Sequence, residues 1–173
     1  AIAGDMSTRI VATDLRCERL PVADATVDFA SCQFALHYLA GDAAVMSGFL
    51  GEVGRVLADG GAFAATVPDE EEVRRLCAGE DPPPCVRVTA PRPFPSPAEV
   101  HRIAWGHAYL FEFVGRTPEL TEYLVHSPAL EDLAEPHGMV LERRIPPPPG
   151  SELYTSLVFR RKPRSTVVDF EPT

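Results

Sequence analysis

The chain has 173 residues, of which 45% are hydrophobic and 24% charged, and carries a formal net charge of −9. Those figures suit about one soluble domain, and no apolar run is long enough to cross a membrane. The acidic balance excludes the broad basic face with which proteins grip long nucleic acids by their phosphates. Cys17, Cys32, Cys77 and Cys85 form no CxxC pair and no cluster with histidine at metal-ligand spacing, which excludes a zinc site and a disulfide framework.

Taken in order, the chain opens on Ala1, its first methionine is Met6, and Ala1 to Arg9 lacks the charged and apolar regions of a secretory signal. A truncated chain is the expectation. Arg9 to Thr13 reads as a short strand ending at Asp14, and Val27 to Cys32 as a buried strand. Val45, Phe49, Val53 and Val56 recur at helical spacing and predict a helix over Ala43–Leu57. Gly48, Gly51 and Gly54 resemble a phosphate loop, but they follow no strand and lie within that helix, where they would allow close packing on a sheet. Asp59-Gly60-Gly61 predicts a turn, and Ala62 to Val67 a further strand. Pro68-Asp69 opens a helix with Glu70, Glu71 and Glu72 in its first turn and Arg74 and Arg75 near its end, as the macrodipole favours.

Eighteen prolines, about twice the usual ~5% share, gather at 82–84, 91–97 and 146–149 and mark loops. Val86-Arg87-Val88 and Ala108 to Val114 would pair as a small hairpin, an insertion over about 78–114 hung over the sheet. Ser127 as cap and Pro128 at the first helical position start a helix that Gly138 ends. Met139 to Ile145 and Leu153 to Arg160 are closing strands, expected antiparallel. Residues 1–164 form one unit and 165–173 a frayed tail. The alternation of strands and helices predicts an α/β doubly wound sheet.

The densest chemistry lies in Ser31 to Tyr38, Ser-Cys-Gln-Phe-Ala-Leu-His-Tyr. In open α/β sheets ligands bind outside the carboxyl ends of strands, which puts Gln33, His37 and Tyr38 where a small molecule would sit. Gln33 offers a donor and an acceptor, and Tyr38 a ring face with a hydroxyl. Singly, each would pass for an ordinary half-buried residue. Asp14 alone would be a turn cap, Glu122 a solvated acid, and Tyr154 a core tyrosine.

The octapeptide, together with Glu122-Tyr123-Leu124-Val125 and Leu153 to Phe159, resembles mRNA cap guanine-N7 methyltransferases, class I (Rossmann-like) enzymes. The similarity is diffuse elsewhere but runs from about Val11 to His137 and resumes over Leu153–Arg161. It implies methyl transfer from S-adenosylmethionine to N7 of the cap guanine. Asp14, Gln33 and Tyr38 would bind the cofactor, and His37, Glu122 and Tyr154 the guanine. No general base and no metal are implied, because N7 already offers its lone pair. The implied partner is the capped mRNA 5′ end, with other capping enzymes or a missing amino-terminal segment beside it, and no DNA or membrane. The implied location is the nucleus, or the cytoplasm for a viral enzyme; Arg160-Arg161-Lys162-Pro163-Arg164 has weak nuclear-localisation character. Arg74 and Arg75 could approach a triphosphate, although a solvated helix end is the plainer reading.

The sequence departs from the family pattern in ways that matter. The family's first two strands, with their glycine-rich turn and ribose-binding acid, have no counterpart, so the sheet is expected to be incomplete, with a gap edged by apolar residues. Ser127 stands where an aromatic residue is usual, and Pro146 to Ser151 is a short connection. Two rival readings stay open: a class I methyltransferase of another RNA or a small molecule, for which Glu122 and Tyr154 would be dispensable, and a non-catalytic cap-binding or regulatory subunit.

Overall fold

A computed structural model describes residues 10, 12–80, 82–96, 99, 103–147 and 153–164. Its main sheet has four strands, β1 (Val27–Gln33), β2 (Leu57–Pro68), β6 (Met139–Ile145) and β7 (Tyr154–Arg161), in the order β1-β2-β7-β6. β1 and β2 run parallel, joined by helix α1 (Ala43–Val56), and β7 is antiparallel to both β2 and β6.

Local chemistry explains the helices. The Asp42 side chain accepts from the amides of Ala44 and Val45 and so caps α1, whose Met46, Phe49, Leu50, Val53 and Val56 form one buried stripe. Asp69 does the same for α2 (Glu70–Cys77), where Glu70 pairs with Arg74 at 2.8 Å and Glu72 with Arg75 at 2.7 Å. Helix α3 (Ser127–Ala134) has His126 at its N-cap position without a side-chain capping bond, so Ser127, expected as the cap, is already its first helical residue and Pro128 follows; Gly138, at φ 73°, ends the turn after it. His126 Nδ1 lies 2.7 Å from Glu70 Oε2, which ties the start of α3 to α2.

Alternation decides what each strand buries. Phe63, Ala65 and Val67 of β2 and Leu157 and Phe159 of β7 point into one core with the stripes of α1 and α3, whereas Ala64, Thr66, Ser156 and Val158 on the opposite face stay half-buried. A second core joins Val73 and Leu76 of α2 to a separate three-stranded antiparallel sheet.

That second sheet corrects the expected two-stranded hairpin. β3 (Val86–Thr89) pairs with β4 (Ala108–Phe113) as predicted, but β4 also pairs with β5 (Leu120–Tyr123), a strand too short and too polar to announce itself. The strand expected at Arg9–Thr13 is absent at Ile10, Ala12 and Thr13, while Arg9 and Val11 lie outside the described residues. β1, predicted as buried, is an edge strand in which only Cys32 is buried and Phe29 is 60% exposed, because among the described residues it has a strand neighbour on one side only. The predicted turn at Asp59-Gly60-Gly61 lies inside β2 as an irregularity of register between Val27↔Leu57 and Phe29↔Ala62, with Gly60 at φ 76°.

The helix glycines also pack elsewhere than expected. A Cβ on Gly54 would lie 2.6 Å from the backbone oxygen of His137, and one on Gly51 3.4 Å from its ring, so these two glycines let α1 press against the turn Glu135–His137, while its apolar stripe faces the sheet. Ser47 Oγ and His137 Nε2, 2.9 Å apart, bridge the same contact. Gly54→Ala therefore destabilises the fold by about 1–3 kcal/mol, the usual cost of overpacking. Gly48→Ala meets open space and gains about 0.5–1 kcal/mol of helix propensity. Urea unfolding of the two variants checks this; equal midpoints would refute the close approach.

Candidate functional site

The polar cluster forms where the chain leaves β1. Phe34 follows the strand with φ 54°, a left-handed conformation costly for an aromatic residue, and its amide is tied to the Thr66 carbonyl at 3.0 Å. That sharp bend ends the strand and starts a one-turn 3-10 helix, Leu36–Tyr38, which aims His37 and Tyr38 across to the second sheet. Phe34 itself is 54% exposed and meets the Tyr154 ring edge-to-face, centroids 4.8 Å apart.

Glu122 on β5 is the hub. It is 5% exposed, yet Tyr38 donates to its Oε1 at 3.2 Å and Tyr109 to its Oε2 at 2.8 Å. His37, 2% exposed, holds Nε2 3.4 Å from the same Oε1, and neither of its ring nitrogens has a hydrogen-bond partner. Burial opposes the Glu122 charge, but the His37 ring beside it and the donated hydroxyls of Tyr109 and Tyr38 outweigh that cost and hold the carboxyl below its ordinary range. Burial, with the Glu122 charge nearby, pushes the Tyr154 phenol up to about 12 and the Tyr38 phenol upward. The residues proposed for guanine thus come together, Tyr154 at the head of β7 beside Pro68 at the end of β2.

The residues proposed for the cofactor do not converge. Gln33 stands exposed at the end of β1, its Nε2 donating to Ser31 Oγ at 2.8 Å and its Oε1 accepting from Thr66, whose hydroxyl also meets Ser156 Oγ at 2.9 Å. Tyr38 turns towards Glu122. Among the described residues, the Asp14 side chain binds within its own turn: both carboxylate oxygens accept from the Arg16 side chain and one from its amide, which lowers the carboxyl to about 2.

The arginines considered for a triphosphate are engaged as well. Arg74 binds Glu70 and the Pro95 carbonyl and lies 5.3 Å from the Phe94 ring centre, and Arg75 binds Glu72 and the Glu80 carbonyl. In the basic segment, Arg160 binds Glu142, Arg161 the His137 carbonyl and Lys162 Glu135. Arg164 binds Asp59 and the carbonyls of Gly54, Arg55 and Leu57, where it closes the carboxyl end of α1.

Tyr109 is the residue that sequence reasoning missed. It is fully buried and stands directly opposite Glu122 in the β4–β5 register. The pairing could be read from the sequence only by recognising Leu120–Tyr123 as a strand.

The fold has known counterparts. The PH0226 protein from Pyrococcus horikoshii OT3 superposes with a TM-score of 0.57 at 17% identity, over 88% of this chain and 58% of that one. An S-adenosylmethionine-dependent methyltransferase from Clostridium acetobutylicum ATCC 824 gives 0.56 at 11% identity, over 91% and 66%. The CcbJ methyltransferase from Streptomyces caelestis gives 0.52 at 14%, over 88% and 63%. This chain thus has the class I methyltransferase fold and spans about three-fifths of the length of such structures. No curated protein matches its sequence. The profile of the mRNA (guanine-N(7))-methyltransferase domain matches residues 1–147. With that match covering most of the 173 residues, and a sheet whose parallel strands end at the His37–Glu122 cluster, the chain belongs to the mRNA (guanine-N(7))-methyltransferase domain family.

Proposed function

We propose that this chain carries the guanine-binding side of a cap methyltransferase, which moves a methyl group from S-adenosylmethionine to N7 of the guanosine cap of mRNA in the nucleus. The observation that carries this reading is Glu122, a buried carboxylate held charged, whose oxygens each accept one tyrosine hydroxyl and keep a second lone pair. Guanine presents two adjacent N–H donors on its Watson–Crick edge, and a carboxylate accepts both in a fork. Adenine presents an acceptor at the corresponding ring position and is refused. Phe34 and Tyr154 supply apolar ring surface beside the carboxylate, and His37 a buried nitrogen in need of a partner.

The fit to the cofactor is one-sided. Gln33 keeps one N–H and one carbonyl lone pair beyond its bonds to Ser31 and Thr66, a pair suited to the edge of an adenine. Asp14 is occupied by Arg16 and adds nothing to it. When bound, S-adenosylmethionine supplies a methyl group on a positively charged sulfur, ready to leave. This chain's residues hold and orient the base, and N7 needs no proton removed. The Glu122 carboxylate also eases the positive charge that passes to the purine.

Titrating the chain with the cap dinucleotides GpppA and ApppA tests the reading through guanine fluorescence-independent calorimetry in both cases. To isolate the guanine edge, the ApppA titration serves as the reference. Saturable binding of GpppA and at least tenfold weaker binding of ApppA are expected, since unpaired buried polar groups cost about 1–3 kcal/mol. Equal affinities would leave methyl transfer to another RNA or a small molecule as the better reading.

A further inference from the structure

The Glu122 carboxylate is held by two tyrosine hydroxyls in very different surroundings. Tyr109 Oη donates to Oε2 at 2.8 Å from a fully buried ring, fixed by the second core and facing Glu122 across the β4–β5 pair. Tyr38 Oη donates to Oε1 at 3.2 Å from a ring that is 43% exposed and leans on His37, centroids 4.3 Å apart. Glu122 is itself only 5% exposed, so a base can reach Oε1 only if a hydroxyl in front of it moves. Of the two donors, only Tyr38 has room to do so.

We propose that Tyr109 is a positioning residue for purine capture, its hydroxyl clamping Oε2 of Glu122, while the Tyr38 hydroxyl holds Oε1 as a placeholder that the incoming base donor displaces. The inference rests on the guanine reading above and adds to it a division of labour. A short bond from a rigid buried donor fixes the plane of the carboxylate, which a two-point fork requires. A longer bond from a half-exposed donor spares Oε1 the cost of standing unpaired before the ligand arrives, and it can be exchanged for a ligand N–H with little net loss. Donation from Tyr109 also favours the charged form of Glu122. The ionisable groups around it are His37 and Tyr38 from the 3-10 turn, Tyr109 from β4 and Tyr154 from β7, with Cys77 at the end of α2 acting on Tyr109.

The test reads Glu122 directly. In ligand-free protein labelled with 13C at glutamate carboxyls, and with Glu122→Gln to assign the signal, Tyr109→Phe moves the Glu122 titration to higher pH, and by more than Tyr38→Phe does. The sign follows because the lost donor favoured the carboxylate. In GpppA titrations at pH 8, Tyr109→Phe weakens binding about tenfold, the worth of one charge-assisted hydrogen bond, and the acid limb of its binding profile moves to higher pH. Tyr38→Phe binds GpppA within about twofold of the parent or more tightly, because it removes only the group that the base must displace. A Glu122 midpoint unmoved in Tyr109→Phe, or equal weakening in both variants, overturns the proposal. Should Tyr109→Phe not fold, the parent protein still decides: its Tyr109 13Cζ resonance must follow the Glu122 midpoint, and a resonance indifferent to that titration overturns the clamp. If GpppA and ApppA bind alike, the guanine reading fails while the carboxylate titration still judges the clamp.

Discussion

Replacing Glu122 by glutamine lowers affinity for GpppA by about one to two decades while leaving ApppA unchanged. The substitution keeps the volume of a buried side chain and leaves one oxygen to receive one of the two tyrosine hydroxyls. The other oxygen becomes an NH2 group, which faces the donors of guanine instead of accepting from them. Hydrogen bonds to a charged partner are worth about 1.5–3 kcal/mol, and ~1.4 kcal/mol is tenfold in binding, which sets the expected range. Because the fold keeps its packing, thermal unfolding of the variant should stay close to that of the parent. Calorimetric titration of both nucleotides checks the result. Undiminished GpppA binding would remove Glu122 from the guanine site and with it the reason for assigning a cap substrate.

Replacing Phe63 by alanine destabilises the fold by about 3–5 kcal/mol, the range for emptying a large buried aromatic site. Phe63 is 1% exposed in the middle of β2, and its ring lies 6.0 Å from that of Phe49 on α1 and 6.1 Å from that of Phe159 on β7. No neighbouring side chain can close the void without shifting the helix or the strand. A domain is stable by only about 5–15 kcal/mol in all, so the variant should be substantially unfolded on warming. Phe29→Ala supplies the contrast, since its ring is 60% exposed on the open edge of β1 and its loss costs about 0.5 kcal/mol or less. Denaturant unfolding measures both. If Phe29→Ala proved as costly as Phe63→Ala, the edge of β1 would have to be covered in solution.

The sequence by itself determined the elements that local chemistry dictates. Val45, Phe49, Val53 and Val56 recur at the spacing of one helix, Pro68-Asp69 opens the next with acids in its first turn, and the apolar runs at Ala62–Val67 and Leu153–Arg160 are strands. It also carried the cluster around Glu122, because His37 and Tyr38 lie in a contiguous octapeptide and Glu122 and Tyr154 in short segments that resemble the family's. What it could not determine depends on neighbours distant in the chain. Whether β1 is buried is settled by the presence of strands on both sides, and among the described residues it has one only on the side of β2. Leu120–Tyr123 becomes a strand because β4 offers it an unpaired edge, a pairing too short and polar to show as periodicity. That pairing sets Tyr109 opposite Glu122. Asp14 shows the reverse effect, since the turn supplies Arg16 at close range and ties up the carboxylate expected at the cofactor. The charged glutamate on β5 is therefore a tertiary product: His37 and Tyr38 reach it from the 3-10 turn and Tyr109 from β4, and only their convergence outweighs the cost of burying its charge.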